Sequence, residues 1–170
     1  MDAKDFKARA MGRWRITARD PDGNVIREEE FDNLVVDEGL DELLTQALAG
    51  GTQTTTWYLG LTGSTPSPAA GDTMGSHTGW TEQTGYDETA RQVWSNGAVS
   101  GQSVDNSAST ATFTISADST TIGGAFLTSD STKGGTAGKL YAAGAFSSGD
   151  VTLSAGSTLE VTATFTTAAV

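Results

Sequence analysis

Apolar and polar residues alternate strictly through much of this chain. In R-W-R-I-T-A-R-D (13–20), Trp14, Ile16 and Ala18 fall on one side, with charged residues and Thr on the other. That is the period of a half-buried strand. P-D-G-N (21–24) is a turn signal, and V-I-R-E-E-E-F-D-N-L-V-V (25–36) returns as a second strand, so 13–36 reads as a hairpin. The period then changes. Leu40, Leu43, Leu44, Ala47 and Leu48 recur at helical spacing, which predicts one helix over 37–49 with its apolar stripe on a single face. Asp37 is the expected N-cap, Glu38 lies beside it at the positive end, and Gly50 and Gly51 terminate the helix. So short a helix needs its stripe covered, by a sheet or by a partner.

T-T-T-W-Y-L-G-L (54–61) is the next expected strand, followed by a polar loop over 62–79. Loops of that length in compact domains are usually functional or mobile. Thr89–Ser95 reads as another strand. From 97 to 167 the chain becomes regular, with A-T-F-T-I-S (111–116), T-I-G-G-A-F-L-T (121–128), K-L-Y-A-A-G-A-F (139–146) and S-T-L-E-V-T-A-T-F-T (157–166) separated by Gly, Ser and Asp. In the last, Leu159, Val161, Ala163 and Phe165 face one way, and Thr158, Glu160, Thr162 and Thr164 the other. The expectation is a mainly β fold: an antiparallel β-sandwich, jelly-roll or Ig-like, with one short α-helix. Residues 1–12 show no clear period and are expected to form an arm, as a short helix or extended. Residues 13–170 form a single domain.

Charge adds an asymmetry. Seven of the ten Lys and Arg residues (Lys4, Lys7, Arg9, Arg13, Arg15, Arg19 and Arg27) lie in 1–27 beside four acids, about +3 there, which leaves about −14 on the remainder. The acidic body disfavours nucleic acid and anionic membranes as partners. The basic start is either a solvated arm or one that docks on an acidic neighbour. With no Cys there are no disulfides or thiolate metal sites. No apolar run is long enough for a transmembrane helix, and the first residues lack the apolar stretch of a secretory signal.

Catalytic chemistry finds few footholds. His77 is the only histidine, and no G-x-S-x-G elbow accompanies it. Asp72, Glu82, Asp87 and Glu88 are the carboxylates to consider for glycoside hydrolysis, though loop acids are more often solvated. D-P-D-G-N (20–24) resembles a calcium loop but lacks the full ligand spacing, and turn chemistry explains it. Gly123-Gly124 and Gly134-Gly135 lack the Lys-Ser/Thr and helix of a phosphate cradle. Trp57, Tyr58, Trp80, Tyr86 and Trp94 are either a sugar-stacking platform or the core of a chain with little else of bulk to bury. The chain is therefore expected not to be an enzyme and to need no cofactor.

N-L-V-V-D-E-G-L (33–40), W-Y-L-G-L (57–61), D-T-M-G-S-H-T-G-W-T-E (72–82), Y-D-E-T-A-R (86–91) with Trp94, G-Q-S-V-D-N-S (101–107) and I-G-G-A-F-L-T-S (122–129) resemble a group of small β-rich virion proteins of tailed bacteriophages. The resemblance implies a structural protein made without a signal peptide and located in the virion, and it carries no catalytic residues. The role expected first is a capsid decoration (cement) protein, perched on the outer lattice as a trimer and bound to the major capsid protein and to copies of itself. In that picture Lys4, Lys7, Arg9, Arg13, Trp14 and Arg15 make the attachment, with 1–36 as the clamp and 97–167 as the sandwich body. His77, Trp80, Tyr86 and Arg91 form a second candidate contact surface. A tail or fibre component that reaches the host through loop 62–79, or a neck protein at the head–tail joint, is the alternative.

Overall fold

The computed structural model describes residues 8–169. Strands β1 (Ala8–Arg19) and β2 (Val25–Val35) form the expected hairpin. Its turn is held by Asp20, whose Oδ1 accepts from the backbone N–H groups of Asp22 and Asn24 (3.0 and 2.8 Å). The bonds from Asn24 hold the Asp20 carboxyl below its usual range, as the turn reading of D-P-D-G-N requires. Helix α1 (Asp37–Ala47) follows. Then come β3 (Tyr58–Thr62), β4 (Glu82–Gln83), β5 (Gln92–Val93), β6 (Ser103–Asp105), β7 (Ala111–Thr114), β8 (Thr120–Ile122), β9 (Gly124–Thr128), β10 (Leu140–Ala145), β11 (Val151–Leu153) and β12 (Thr158–Ala169).

Ten strands form one antiparallel sheet in the order β4-β3-β9-β10-β2-β1-β12-β6, with β5 also on β3 and β7 also on β12, while β8 and β11 pair separately. The sheet doubles over at β2. That strand pairs with β1 as far as Gly12↔Asn33, then with β10 at Leu34↔Ala143 and Val35↔Ala142. The result is a β-sandwich-like body with one short helix, as the alternation predicts. At the opposite margin the layers are also joined. Tyr86 bridges Ile115, Asp87 N–H donates to Thr114 O (2.8 Å), and Ser116 N–H donates to Gly85 O (3.1 Å).

Between the layers lies the main core. Trp14, Ile16, Phe31, Leu59, Leu61, Phe113, Leu127, Val161 and Phe165 are among its members. Trp14 meets Phe31 and Phe165 edge-on, each with ring centroids 5.9 Å apart. The inward row Leu159, Val161, Ala163 and Phe165 is buried as the alternation in β12 predicts. Between the stretches of β12 that pair with β7 and β6, Asn106 completes the ladder with its side chain. Its Nδ2 donates to Val161 O (3.1 Å), and its Oδ1 accepts from Ala163 N–H (2.7 Å).

Several expectations change. The arm assigned to 1–12 is already strand from Ala8, and Lys4 and Lys7 lie outside the described residues. β1 is hydrogen-bonded along its length to β12 on one side and to β2 on the other. The hairpin is therefore the middle of the sheet, not a clamp set beside a body at 97–167. Trp14, expected at an attachment surface, is fully buried. Thr89–Ser95 contains only the two-residue β5, because Arg91 turns inward as a buried anchor. Asp37 is the first helical residue and not the cap. Val36 holds that position without a side-chain bond, and Asp37 N–H is satisfied by Ala70 O (2.8 Å).

The long loop is not a free tip. Met74 and Trp80 pack with Phe126, Leu140, Ala143 and Val36 into a second core on the outer face of the β9–β10 layer. His77 stacks on Trp80 with centroids 3.7 Å apart, and its Nδ1 lies 3.1 Å from Trp80 O. A polar staple beside this core ties the neighbouring loops together. Arg91 Nε and Nη2 grip Glu82 Oε1 and Oε2 (3.0 and 2.7 Å), and its remaining donors reach Asp130 O and Gly135 O (2.9 and 2.6 Å). Lys133 Nζ donates to the carbonyls of Tyr86 and Glu88 (2.8 and 2.7 Å). His77, Trp80, Tyr86 and Arg91 are thus parts of the packing. All but His77 are buried, which removes Trp80, Tyr86 and Arg91 from any contact surface.

Removing one member of a buried ion pair strands the other. Arg91→Met should therefore destabilise the fold by about 3–5 kcal/mol. Adding Glu82→Gln should restore part of that loss. Urea unfolding of the two single variants and the double variant measures the coupling, and additive losses would mean that Arg91 does not depend on Glu82.

Candidate functional site

Two members of the basic cluster proposed for attachment, Arg13 and Arg15, are neutralised within the hairpin. Arg13 Nε pairs with Glu30 (2.9 Å) and Arg15 pairs with Glu28 across the hairpin. Arg19 lies 3.8 Å from Glu160, and Arg27 bonds Glu29 at 2.8 Å. The charge count that ended at residue 27 cut the hairpin across these pairs. Glu28, Glu29, Glu30 and Asp32 lie just beyond it, so 1–36 carries seven bases and eight acids, a net charge of 7 − 8 = −1. Arg9 is exposed on β1. The pairs of Arg13, Arg15 and Arg19 are at least a third exposed, and pairs of that kind contribute at most about 1 kcal/mol each because water screens them, whereas Arg27 and Glu29 are largely buried. The Arg13 and Arg15 pairs span the hairpin and leave no unpaired cationic patch at either residue.

The apolar residues of α1 offer a stronger candidate. The buried residues of the helix, which packs on β10, are Gly39 and Glu42 and not its leucines. A Cβ at Gly39 would lie 2.2 Å from Tyr141 O, so only glycine lets the helix approach this closely. Glu42 is buried and receives bonds from Lys139 Nζ, Thr54 Oγ1 and Gln46 Nε2. Those bonds, Lys139 foremost, hold its carboxyl below its usual range against the opposing effect of burial. Glu38 reaches across to accept from Leu140 N–H (2.7 Å). Three polar or minimal residues therefore anchor the helix, and the stripe, apart from half-buried Leu43, is turned away from the sheet. Leu40, Leu44 and Leu48 are 37%, 55% and 81% exposed.

The inner margin of that stripe opens into a groove. Leu43, Ala47 and Gln46 form one wall, and Trp57, Trp94, Leu127, Tyr141 and Phe165 line the rest of a cavity of about 320 Å³. A second hollow of about 200 Å³ continues from it, sharing Leu43, Val104, Tyr141 and Phe165 and extending to Ala10, Met11 and Val99. The aromatic floor is packed edge to face. Trp57 meets Tyr141 edge-on at 5.3 Å, Tyr141 meets Phe165 at 5.1 Å, and Trp94 meets Phe165 at 5.6 Å. Trp94 is fixed further by its Nε1–H, which donates to Ala163 O (3.1 Å). Burial pushes the Tyr141 phenol up, so it stays neutral.

Of the five aromatic residues considered as a sugar platform, the structure brings only Trp57 and Trp94 to this groove. Trp80 and Tyr86 are core, and Tyr58 lies on β3. Reading the chain by element did not single out Tyr141 and Phe165 for the site, because both lie within regular strands, Phe165 in the inward row of β12. Among the described residues, no three His, Asp or Glu side chains gather into a metal site, and no helix is long and apolar enough to cross a membrane. The groove offers apolar area, aromatic edges and a few side-chain amides. That suits binding to an apolar side chain or segment. Comparison with protein-family models finds no match, and neither do comparisons with curated proteins and with solved structures.

Because α1 walls the groove, the Glu42 anchor ties the site to pH. A carboxyl held below its unfolded value adds stability above that value and loses it as pH falls through the folded one. Wild type should exceed Glu42→Gln by about 1–2 kcal/mol at neutral pH, near the lower figure since Lys139 is half exposed. The gap should narrow progressively as pH falls below the ordinary glutamate value of 4.5, and close below the lowered folded value. Urea titrations at a series of pH values test this, and a gap independent of pH would show that the charge of Glu42 is not what seats the helix.

Proposed function

We propose that this chain is a non-enzymatic structural protein of a bacteriophage virion, and within it a capsid decoration protein that binds the outer lattice and stabilises it. The observation that carries the assembly role is the exposed apolar surface made by Leu40, Leu44 and Leu48 together with the aromatic groove beside them. Soluble monomers seldom leave so continuous an apolar face in water, and such faces mark contact with other molecules. The resemblance to small phage virion proteins supplies the setting. Its motifs map onto structural parts: the end of β2 with the start of α1, β3, the loop over the second core, the Arg91 staple, β6 and β9. A protein that works by covering and bracing needs rigid packing at those places.

The fibre reading asks loop 62–79 to be a binding tip. The burial of Met74 and of adjoining Trp80 favours the capsid role over it. Decoration stabilises a shell by mass action, since whatever binds only the assembled lattice shifts the equilibrium toward it.

Copy number separates the roles. Gel densitometry of purified particles should find this chain at a stoichiometry comparable with the major capsid protein, and particles lacking it should release their DNA at lower temperature. A handful of copies per particle would rule out decoration and favour the neck or tail.

A further inference from the structure

We infer that the groove and the exposed stripe of α1 bind a short amphipathic segment of another protein, one with apolar anchors flanked by Lys or Arg. The apolar half of the inference follows from geometry. Leu43 lies in the groove wall, while Leu44 and Leu48 continue the same surface into solvent. One segment can therefore seat an anchor against Trp57 and Tyr141 and lie along the leucines, the helix-in-groove mode of recognition.

The charged half follows from an inventory of cations. From Arg13 onward, every basic side chain in the described residues is already engaged. Arg13, Arg15, Arg19 and Arg27 pair with Glu30, Glu28, Glu160 and Glu29. Arg91 and Lys139 hold Glu82 and Glu42, and Lys133 binds two carbonyls. Asp37 and Asp41, by contrast, are exposed on α1 among the leucines, and the helix has no basic residue in its last turn. A two-fold contact between copies through this face would set those acids against their own duplicates, in a chain of net charge −11. A second copy is therefore the disfavoured occupant, and a segment that brings its own cations is the complementary one.

The inference rests on the decoration reading only for where such a partner is found. Two fluorescein-labelled helical peptides with the same leucine stripe, one lysine-rich and one glutamate-rich on the polar face, probe it in anisotropy titrations with the full chain. The lysine peptide should bind, and the glutamate peptide should bind about tenfold more weakly or worse. Leu44→Asp should weaken the lysine peptide by about tenfold or more. Leu48→Asp, at a more exposed position, should weaken it in the same direction, and circular dichroism of both variants confirms the fold. Asp37→Asn with Asp41→Asn should weaken binding about two- to fivefold and flatten its salt dependence.

Diffuse attraction to an acidic protein predicts the reverse for Leu44→Asp, since the substitution adds negative charge. Unchanged or tighter binding would overturn the inference. So would sedimentation in which wild type is an oligomer that Leu44→Asp dissociates, because the face would then belong to a second copy. If Leu44→Asp decorates capsids as well as wild type does, this inference fails and the decoration reading survives. If the wild-type chain is missing from capsids, the decoration reading fails and the peptide result stands.

Discussion

Strand β2 belongs to both layers, and the place where it changes partner sets the shape of the molecule. It leaves β1 after Asn33 and joins β10 at Leu34. Two glycines make room for the crossing. A Cβ at Gly12 would lie 2.1 Å from Asn33 Oδ1, and one at Gly144 would lie 2.9 Å from Asp32 O. Because the strand continues through the bend, the layers share a backbone, and interior side chains from both meet without a connecting loop on that side. The groove inherits its position from the same bend. β2 runs directly into α1, so the helix is delivered to β10 next to the crossing, and Gly39 lets it seat there.

This architecture explains which parts of the fold were legible in the sequence. Period-two alternation is a local property, and it identified the long strands β1, β2 and β12 with their buried rows. Helical spacing likewise located α1. What the spacing does not encode is which side of the helix touches the sheet. A leucine stripe normally points to the core, yet here close approach at Gly39 and a bonded carboxylate at Glu42 decide the orientation. Neither residue carries a hydrophobic signal, so of the two covers expected for the stripe, sheet or partner, the sheet leaves Leu40, Leu44 and Leu48 exposed. The charge asymmetry misled for a related reason. Strand pairing sets Arg13 and Arg15 opposite Asp32 and Glu30, their side chains reach diagonally to Glu30 and Glu28, and charge counted along the chain does not see partners across a hairpin. The candidate site was legible in part: Trp57, Trp94 and the leucines stood out, but the groove exists only once β10 and β12 bring Tyr141 and Phe165 beside them.

Small residues dominate this chain, and its large side chains are few. Its loops are accordingly fastened with polar side chains used as backbone partners. Asn106 substitutes for a missing stretch of strand, Arg91 joins the 82 and 130–135 segments, and Lys133 caps two carbonyls. Each of these bonds satisfies groups that would otherwise be buried without partners, which is where hydrogen bonds matter most to stability. A scaffold fastened in this way holds long irregular segments still without disulfides.

The same use of charge has a consequence for assembly. From Arg13 onward the cations of the described residues are committed to internal partners, so the surface around the exposed leucines of α1 carries Asp37 and Asp41 with no basic residue in the helix's last turn. Like charge keeps free copies apart and protects that face from self-association while the protein is dilute. A cationic partner reverses the sign of the long-range force, and the apolar contact then adds at short range. Repulsion toward copies and attraction toward a basic partner thus arise from one distribution of charge, and the exposed leucines are tolerable in water because of it.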